Sequence, residues 1–280
     1  MSDKLNLRLV DFVGKNDQVN LEDFSDRSQE RINDALGDLT GTDRDPAPGG
    51  AGNIIVSQTR DSDEEGIFET IENGLDAAKE GDTVFIEPGT YTENVTIEKA
   101  NLTLRATGIE ESVIKGQVVV SSDGVTLDGF TVSPPAATGN TESEAIRVGE
   151  TPNGVTITNN VVDGFRRNDP DGEFYGVDGI NVFGGDDGTP IKNVTITNNE
   201  VRGLKNEDQG GVAGISIQGN VDGATVENNV LSDLGGGVTH YGFGVVIRGT
   251  GNHGEVPENV SVENNNISGV RSDLRDLFGV

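Results

Sequence analysis

Four aligned segments bring together side chains suited to holding an acidic sugar. Aligning AIRVG from Ala145, GINVFG from Gly179, GISIQG from Gly214 and GVVIRG from Gly244 puts Arg147, Asn181, Ser216 and Val246 in one column. Glu144, Asp178, Ala213 and Phe243 fall in a second column, and Phe183, Gln218 and Arg248 in a third. If the segments are neighbouring strands, Asp178, Arg147 and Asn181 meet, and a carboxylate beside a guanidinium can bind a uronic acid. A cross-strand ion pair on a wet sheet face is the plainer alternative. Glycosidic cleavage needs two carboxylates about 5–9.5 Å apart, and Asp178, Asp186 and Asp187 are the candidates. The loop VDGFRRNDPDGEFYGVDG gathers Asp163, Asp169, Asp171, Glu173 and Asp178. Oxygen ligands at this density could hold calcium, chiefly on Asp169, Asp171 and Glu173, although the loop is not of the DxDxDG type. Tyr175, Tyr241, Phe174 and Phe243 fall in two long loops, as a sugar- or protein-binding patch or as satellite core. His240 and His253 are the only histidines and cysteine is absent, which excludes a thiolate zinc or copper centre.

The elements that must position these groups come from a repeat. VTITNNVV at 155–162 returns as VTITNNEV at 194–201, ATVENNVL at 224–231 and VSVENNNI at 260–267. A period in this range specifies a stacked solenoid. Each phrase alternates apolar and polar residues, as a strand with one buried face does. Each ends in paired asparagines, which tolerate left-handed backbone angles and can hydrogen-bond the like residue one coil away. Asn160, Asn199, Asn229 and Asn265 are therefore expected to form a ladder. Val162, Val201, Leu231 and Ile267 should share a column on a short third strand. Val155, Val194, Ala224 and Val260, and likewise Ile157, Ile196, Val226 and Val262, should form buried stacks. The fold predicted is a right-handed parallel β-helix of about six to seven coils.

Composition sets the surroundings. The chain carries 48 acidic and 20 basic residues, a net charge of −28. Such a surface repels nucleic acid and anionic membranes. Molar salt shortens the Debye length to about 3 Å and screens the self-repulsion, so adaptation to brine is expected, with an ordinary cation-binding acidic protein as the alternative. The N-terminus MSDKLNLRLVDFVGKND lacks an apolar run after a basic region, and no segment could span a bilayer. Cytoplasmic synthesis without a signal peptide is expected. The repeat itself generates the sequons at Asn94, Asn101, Asn193, Asn259 and Asn266, which therefore do not argue for glycosylation.

Five regions follow. Residues 1–45 form a non-repeat arm for assembly or anchoring, with helical spacing of Phe24, Ile32, Ala35, Leu36 and Leu39. Residues 46–53 are a linker. Residues 54–92 hold a first strand and a helix with Phe68, Ile71, Leu75 and Ala78 on one face, ending at Gly81 and plugging the solenoid. Residues 93–270 are the β-helix. The tail 271–280 caps the other end or meets a neighbour.

The stretch GDTVFIEPGTYTENVTIEKANLTLRATG at 81–108 resembles the opening of many right-handed β-helix proteins, including pectinesterases, nitrous-oxide-reductase accessory proteins and carbohydrate-binding/sugar-hydrolase repeat domains. With the Asn-ladder coils the resemblance covers about 81–270, and it implies the fold far more than an activity, because these families share a scaffold. Resemblance to pectate-lyase-like helices implies a site outside the first strand of each coil, beneath the long loops. VDGINVF is similar to the first acidic motif of polygalacturonases. However, Asp186-Asp187 falls in the next turn of the same coil rather than on a later one, and Asn252-His253-Gly254 lies in a later turn. The pectinesterase resemblance stops at GTYTENVTI, without that family's Gln and Asp motifs. Polyuronate lyases imply an Arg or Lys base, often with calcium, and Arg166, Arg167 and Lys205 are available in the long loops.

The organisation, an arm followed by a β-helix with no secretion signal and a haloarchaeal-type surface, resembles viral tail spikes and capsid towers. The function expected is a structural surface protein of a virus-like particle (spike, fibre or turret), a homo-oligomer with a trimer favoured. It would sit on the virion surface and bind host surface glycans through Arg147, Asp178, Asn181, Phe183, Gln218, Arg248, Tyr175 and Tyr241, with a non-catalytic role favoured and Asp178, Arg147, Asp186 and Asp187 as the candidate catalytic residues if the chain is an enzyme. The alternatives are a polysaccharide lyase or glycoside hydrolase acting on an acidic glycan, and a non-catalytic scaffold or glycan-binding module of a cell-surface complex. Calcium is the one cofactor weighed.

Overall fold

The computed structural model describes residues 54–271, except 63–64, 109–110, 135–143, 150, 168–175, 186–187, 208–209, 236–240 and 250–254. The chain divides between Pro46 and Ala47, and the described residues belong to the second unit. The arm 1–45, the linker 46–53 and residues 272–280 lie outside them.

Among the described residues the strands assemble into sheets of nine, seven, six and two. Three of these sheets wrap the core. The six-stranded sheet stacks Val95–Ile97, Val118–Val120, Glu144–Val148, Val177–Gly184, Gly211–Gly219 and Tyr241–Arg248 in chain order. From each of these strands the chain passes to the nine-stranded sheet, then to the seven-stranded sheet, and returns one layer further on. All pairings are parallel, and six full turns result. The chain is a parallel β-helix.

Register follows the repeat. Ile157, Ile196, Val226 and Val262 stack in one column, and Val162, Val201, Leu231 and Ile267 in another. Burying each such side chain contributes about 1.5–3 kcal/mol, except on the last coil, where Val262, expected to be buried, and Ile267 are half-exposed. The stack begins earlier than position 93: Ile54–Val56 already pairs with Thr83–Ile86, which pairs with Thr103–Ala106. The reason is that 54–92 supplies strands for the nine- and seven-stranded sheets before the first full turn closes. At the far end the last strand runs to Arg271.

Asparagine makes the corners. Asn159, Asn198, Asn228 and Asn264 have φ of 55°, 57°, 57° and 55°, the left-handed region that asparagine tolerates. Their neighbours form the ladder. The Asn160 backbone N–H donates to Asn199 Oδ1 at 3.0 Å, Asn199 to Asn229 Oδ1 at 2.9 Å, and Asn229 to Asn265 Oδ1 at 2.9 Å. Each Nδ2 also donates to a backbone carbonyl of its own turn and to one of the preceding coil, as Asn199 does to Thr197 O and Ile157 O. A second corner repeats the device with Asn101, Asn193 and Asn259, all at positive φ. That explains why the sequon-like NVT and NVS recur.

Helix α1 (Ile71–Ala77) covers the N-terminal end and buries Ile71, Gly74 and Leu75. Phe68, expected on this helix, lies instead in the strand Ile67–Phe68. Thr70, two residues beyond that strand, caps α1, accepting from the Asn73 N–H at 3.2 Å. The Glu93 carboxylate accepts from the Ile71 and Glu72 N–H groups at 3.1 and 3.0 Å. These bonds satisfy N-terminal donors that a helix leaves open. Glu93→Ala is expected to cost about 1 kcal/mol, by analogy with the loss of a cap, read as a lowered thermal midpoint with an unchanged β-sheet spectrum. No helix among the described residues is long and apolar enough to cross a membrane.

Candidate functional site

The outer face of the six-stranded sheet carries the groups that the columns aligned. Arg147, Asn181, Ser216 and Val246 are in register, as are Glu144, Asp178, Ala213 and Phe243, and Phe183, Gln218 and Arg248. Two consecutive residues turn inward on each of the four longer strands, such as Gly179 and Ile180. This lets Asp178 and Asn181 share the outer face, where both reach Gln218. Gly179 is required there: a Cβ would sit 2.4 Å from Val201 Cγ1 and 2.6 Å from the Gly214 carbonyl oxygen.

Asp178, Asn181, Ser216 and Gln218 are all buried. Gln218 Nε2 donates to Ser216 Oγ at 2.7 Å, to Asp178 Oδ2 at 3.2 Å and to Asn181 Oδ1 at 3.3 Å. Arg248 Nε donates to Gln218 Oε1 at 3.0 Å, which fixes the amide so that its nitrogen faces Asp178. Asn181 Nδ2 donates to Glu144 Oε1 at 2.5 Å, and Arg147 Nη1 lies 3.5 Å from Glu144 Oε2. The Arg147 guanidinium also stands over the Phe183 ring, 5.7 Å from its centre.

Burial is the largest influence on Asp178 and pushes its carboxyl up from 3.8 to about 7. The Arg248 charge opposes that rise, Glu144 on the adjacent strand reinforces it, and hydrogen bonds from Ser216 and Gln218 oppose it. A carboxyl titrating near neutrality can both take and give a proton, the property required of a general acid or base. Arg248→Met removes the opposing charge, so the Asp178 titration is expected to move further up. Carbon-13 NMR of the labelled Asp178 carboxyl measures it, and a downward move would contradict the assignment.

Tyr241 and Phe243 lie on the last strand of the same sheet with ring centres 6.3 Å apart and planes at 19°. They are 46% and 45% exposed, so they form an open platform rather than core under a loop. Phe243 is two strands from Asp178 in the same column, roughly 10 Å. Tyr175, Asp186, Asp187, Asp169, Asp171 and Glu173 lie outside the described residues. Asp163, expected to share their loop cluster, pairs with Arg202 Nη2 at 3.1 Å. Among the described residues no group of three His, Cys, Asp or Glu side chains is placed to hold a metal ion. The site also contains Glu144 and Ser216, which the columns held but site reasoning passed over. The signal was their register with Asp178 and Asn181.

No family model matches the chain. Probable pectinesterase/pectinesterase inhibitor 17 from Arabidopsis thaliana is 32% identical over 83 residues, which is 29% of this chain and 16% of the relative's own length. Among solved structures, a pectin methylesterase in complex with a hexasaccharide shares 12% identity over 65% of this chain and 66% of its own, at a TM-score of 0.43. Pectin methylesterase PemA from Erwinia chrysanthemi shares 13% over 69% of this chain and 61% of its own, at 0.41. Carrot pectin methylesterase shares 15% over 78% and 90%, at 0.39. The expectation of a structural protein of a virus-like particle is overturned, because the sequence relative is named as a polysaccharide-modifying esterase. The tail-spike, turret and halophilic readings gain no support from these relatives. The arm, solenoid and acidic surface that motivated them are scaffold properties, and a scaffold does not specify a function.

Proposed function

We propose that the chain is a polysaccharide-acting enzyme that hydrolyses ester groups on a uronate polymer, with Asp178 as the proton-transferring residue. The observation that carries this reading is the Asp178 carboxyl held near pH 7 inside an amide network on the outer sheet face. Water attacks the ester carbonyl, its proton passes to a base, and the alcohol leaves with a proton. A group poised near neutrality serves both transfers. Asn181 Nδ2, which carries a second N–H besides the one given to Glu144, stands beside it as a donor for the oxygen that becomes negative. Arg147 and Arg248 supply positive charge for neighbouring uronates, and the Tyr241–Phe243 platform offers a face for a sugar ring along the solenoid axis. The named activity of the 32% identical relative, a probable pectinesterase, supports the ester as the bond attacked.

A second reading, glycosidic hydrolysis, rests on Glu144 and Asp178 facing each other on adjacent strands, about 5 Å apart at the backbone. Retaining glycosidases hold their carboxyls at about 5–5.5 Å. Incubation with highly methyl-esterified polygalacturonate distinguishes the two. Released methanol supports the ester reading, new reducing ends support the second, and the absence of both refutes the enzyme reading on this polymer.

A further inference from the structure

A short two-stranded sheet, Arg166–Arg167 with Lys205–Asn206, stands outside the three main sheets and sets Arg166 directly opposite Lys205. The Lys205 N–H donates to Phe165 O at 3.0 Å and the Glu207 N–H to Arg167 O at 2.9 Å, which holds this register. Phe165 and Arg167, on either side of Arg166, are buried, as are Leu204 and Asn206 on either side of Lys205, so Arg166 and Lys205 point outward side by side. Their backbones are about 4.8 Å apart, and like charges directly opposite repel.

That repulsion stands out against the rest of the chain. With a net charge of −28 there are more than two acidic residues for each basic one. Arg60, Arg105, Arg147, Arg202 and Arg271 each reach a carboxylate. Among the described residues Arg166 and Lys205 form no ion pair. Each also stands on the segment leading into a site-bearing strand: Arg166 precedes Val177–Gly184, which carries Asp178, and Lys205 precedes Gly211–Gly219, which carries Gln218.

We infer that Arg166 and Lys205 form an anion subsite that takes the carboxylate of a uronate unit in the polymer processed at Asp178. The assignment rests on the proposed substrate class. A carboxylate placed between the two cations removes their repulsion and meets a fork of donors on one side and a point charge on the other. The subsite would therefore prefer units already free of their ester, while a neutral esterified unit sits at Asp178.

Calorimetric titration of the full chain with trigalacturonate and with its fully methyl-esterified form tests this. R166Q/K205Q is expected to bind the acidic trimer about tenfold more weakly, as loss of two charge-assisted contacts allows, and the esterified trimer with unchanged affinity. R166K/K205R, which keeps both charges, is expected to retain most of the affinity. Equal affinity of the double variant and the wild type for the acidic trimer overturns the subsite, and so does an equal loss for both trimers. Inorganic sulfate at matched ionic strength should displace the acidic trimer poorly; displacement mole for mole overturns the uronate assignment in favour of a general anion site. A protein that binds the acidic trimer through Arg166 and Lys205 yet releases neither methanol nor reducing ends keeps the subsite and refutes the proposed enzyme.

Discussion

Asp178→Asn is expected to lower turnover on the esterified polymer by about 10²- to 10⁴-fold, the range for losing a positioned proton-transfer group. Asparagine keeps the size and can still accept from Gln218 Nε2, but it cannot exchange a proton. Michaelis constants should therefore change little while kcat collapses, and methanol release measures both. An equal fall in binding with intact kcat would assign Asp178 to substrate holding instead. The same substitution has a thermodynamic signature. The carboxyl titrates at about 7 in the folded chain against 3.8 as its ordinary value, so the unfolded state gives up its proton first. Asp178 thus favours the folded state fully below about pH 4, and that contribution is lost as pH rises through 7. The loss is on the order of 4 kcal/mol at most. Unfolding midpoints of the wild type relative to Asp178→Asn should therefore fall across this window, and a parallel pair of curves would show that the carboxyl is not perturbed.

Asn199→Ala is expected to be the most damaging single change to the scaffold. Asn199 is fully buried between Asn160 and Asn229, receives the Asn160 backbone and side-chain N–H groups at 3.0 and 3.2 Å, and donates to Ile157 O and Thr197 O. Alanine leaves the Asn160 backbone N–H without its partner in a place that water does not reach. It also removes one hydrogen bond each from Asn160 Nδ2, which still reaches Leu127 O and Thr158 O, from Thr197 O, which still accepts from the Asn159 N–H, and from Ile157 O. One buried unsatisfied group costs about 1–3 kcal/mol and each further lost hydrogen bond about 1 kcal/mol, so a total loss of roughly 4 kcal/mol is expected. Asn265→Ala removes the last rung, where the donations of Asn265 to Val226 O and Glu263 O face a more open environment. It should cost much less. Chemical denaturation of the two variants side by side checks the ranking, and equal losses would show that the ladder is not cooperative.

The contrast between these rungs reflects the last coil. Ile217, Val226 and Leu231 are fully buried, whereas their successors Ile247, Val262 and Ile267 are 46%, 40% and 46% exposed. The repeat placed all six side chains correctly in register. Whether a given coil is covered depends on what lies beyond it, and the repeat carries no information about that.

The sequence by itself determined the solenoid. Paired asparagines recur where left-handed corners occur, and apolar residues alternate where one strand face is buried, because a stacked fold asks the same conformation of every coil. The columns of Arg147, Asp178 and Gln218 were legible for the same reason: alignment of repeats is alignment in space. Only the tertiary structure decided the chemistry. The raised Asp178 carboxyl depends on water exclusion and on Glu144 and Arg248 from separate coils, none of which belongs to its local pattern. The opposition of Arg166 and Lys205 likewise needed the pairing of two irregular loops. Periodic backbone geometry is specified locally, whereas a carboxyl's affinity for its proton is set by everything folded around it.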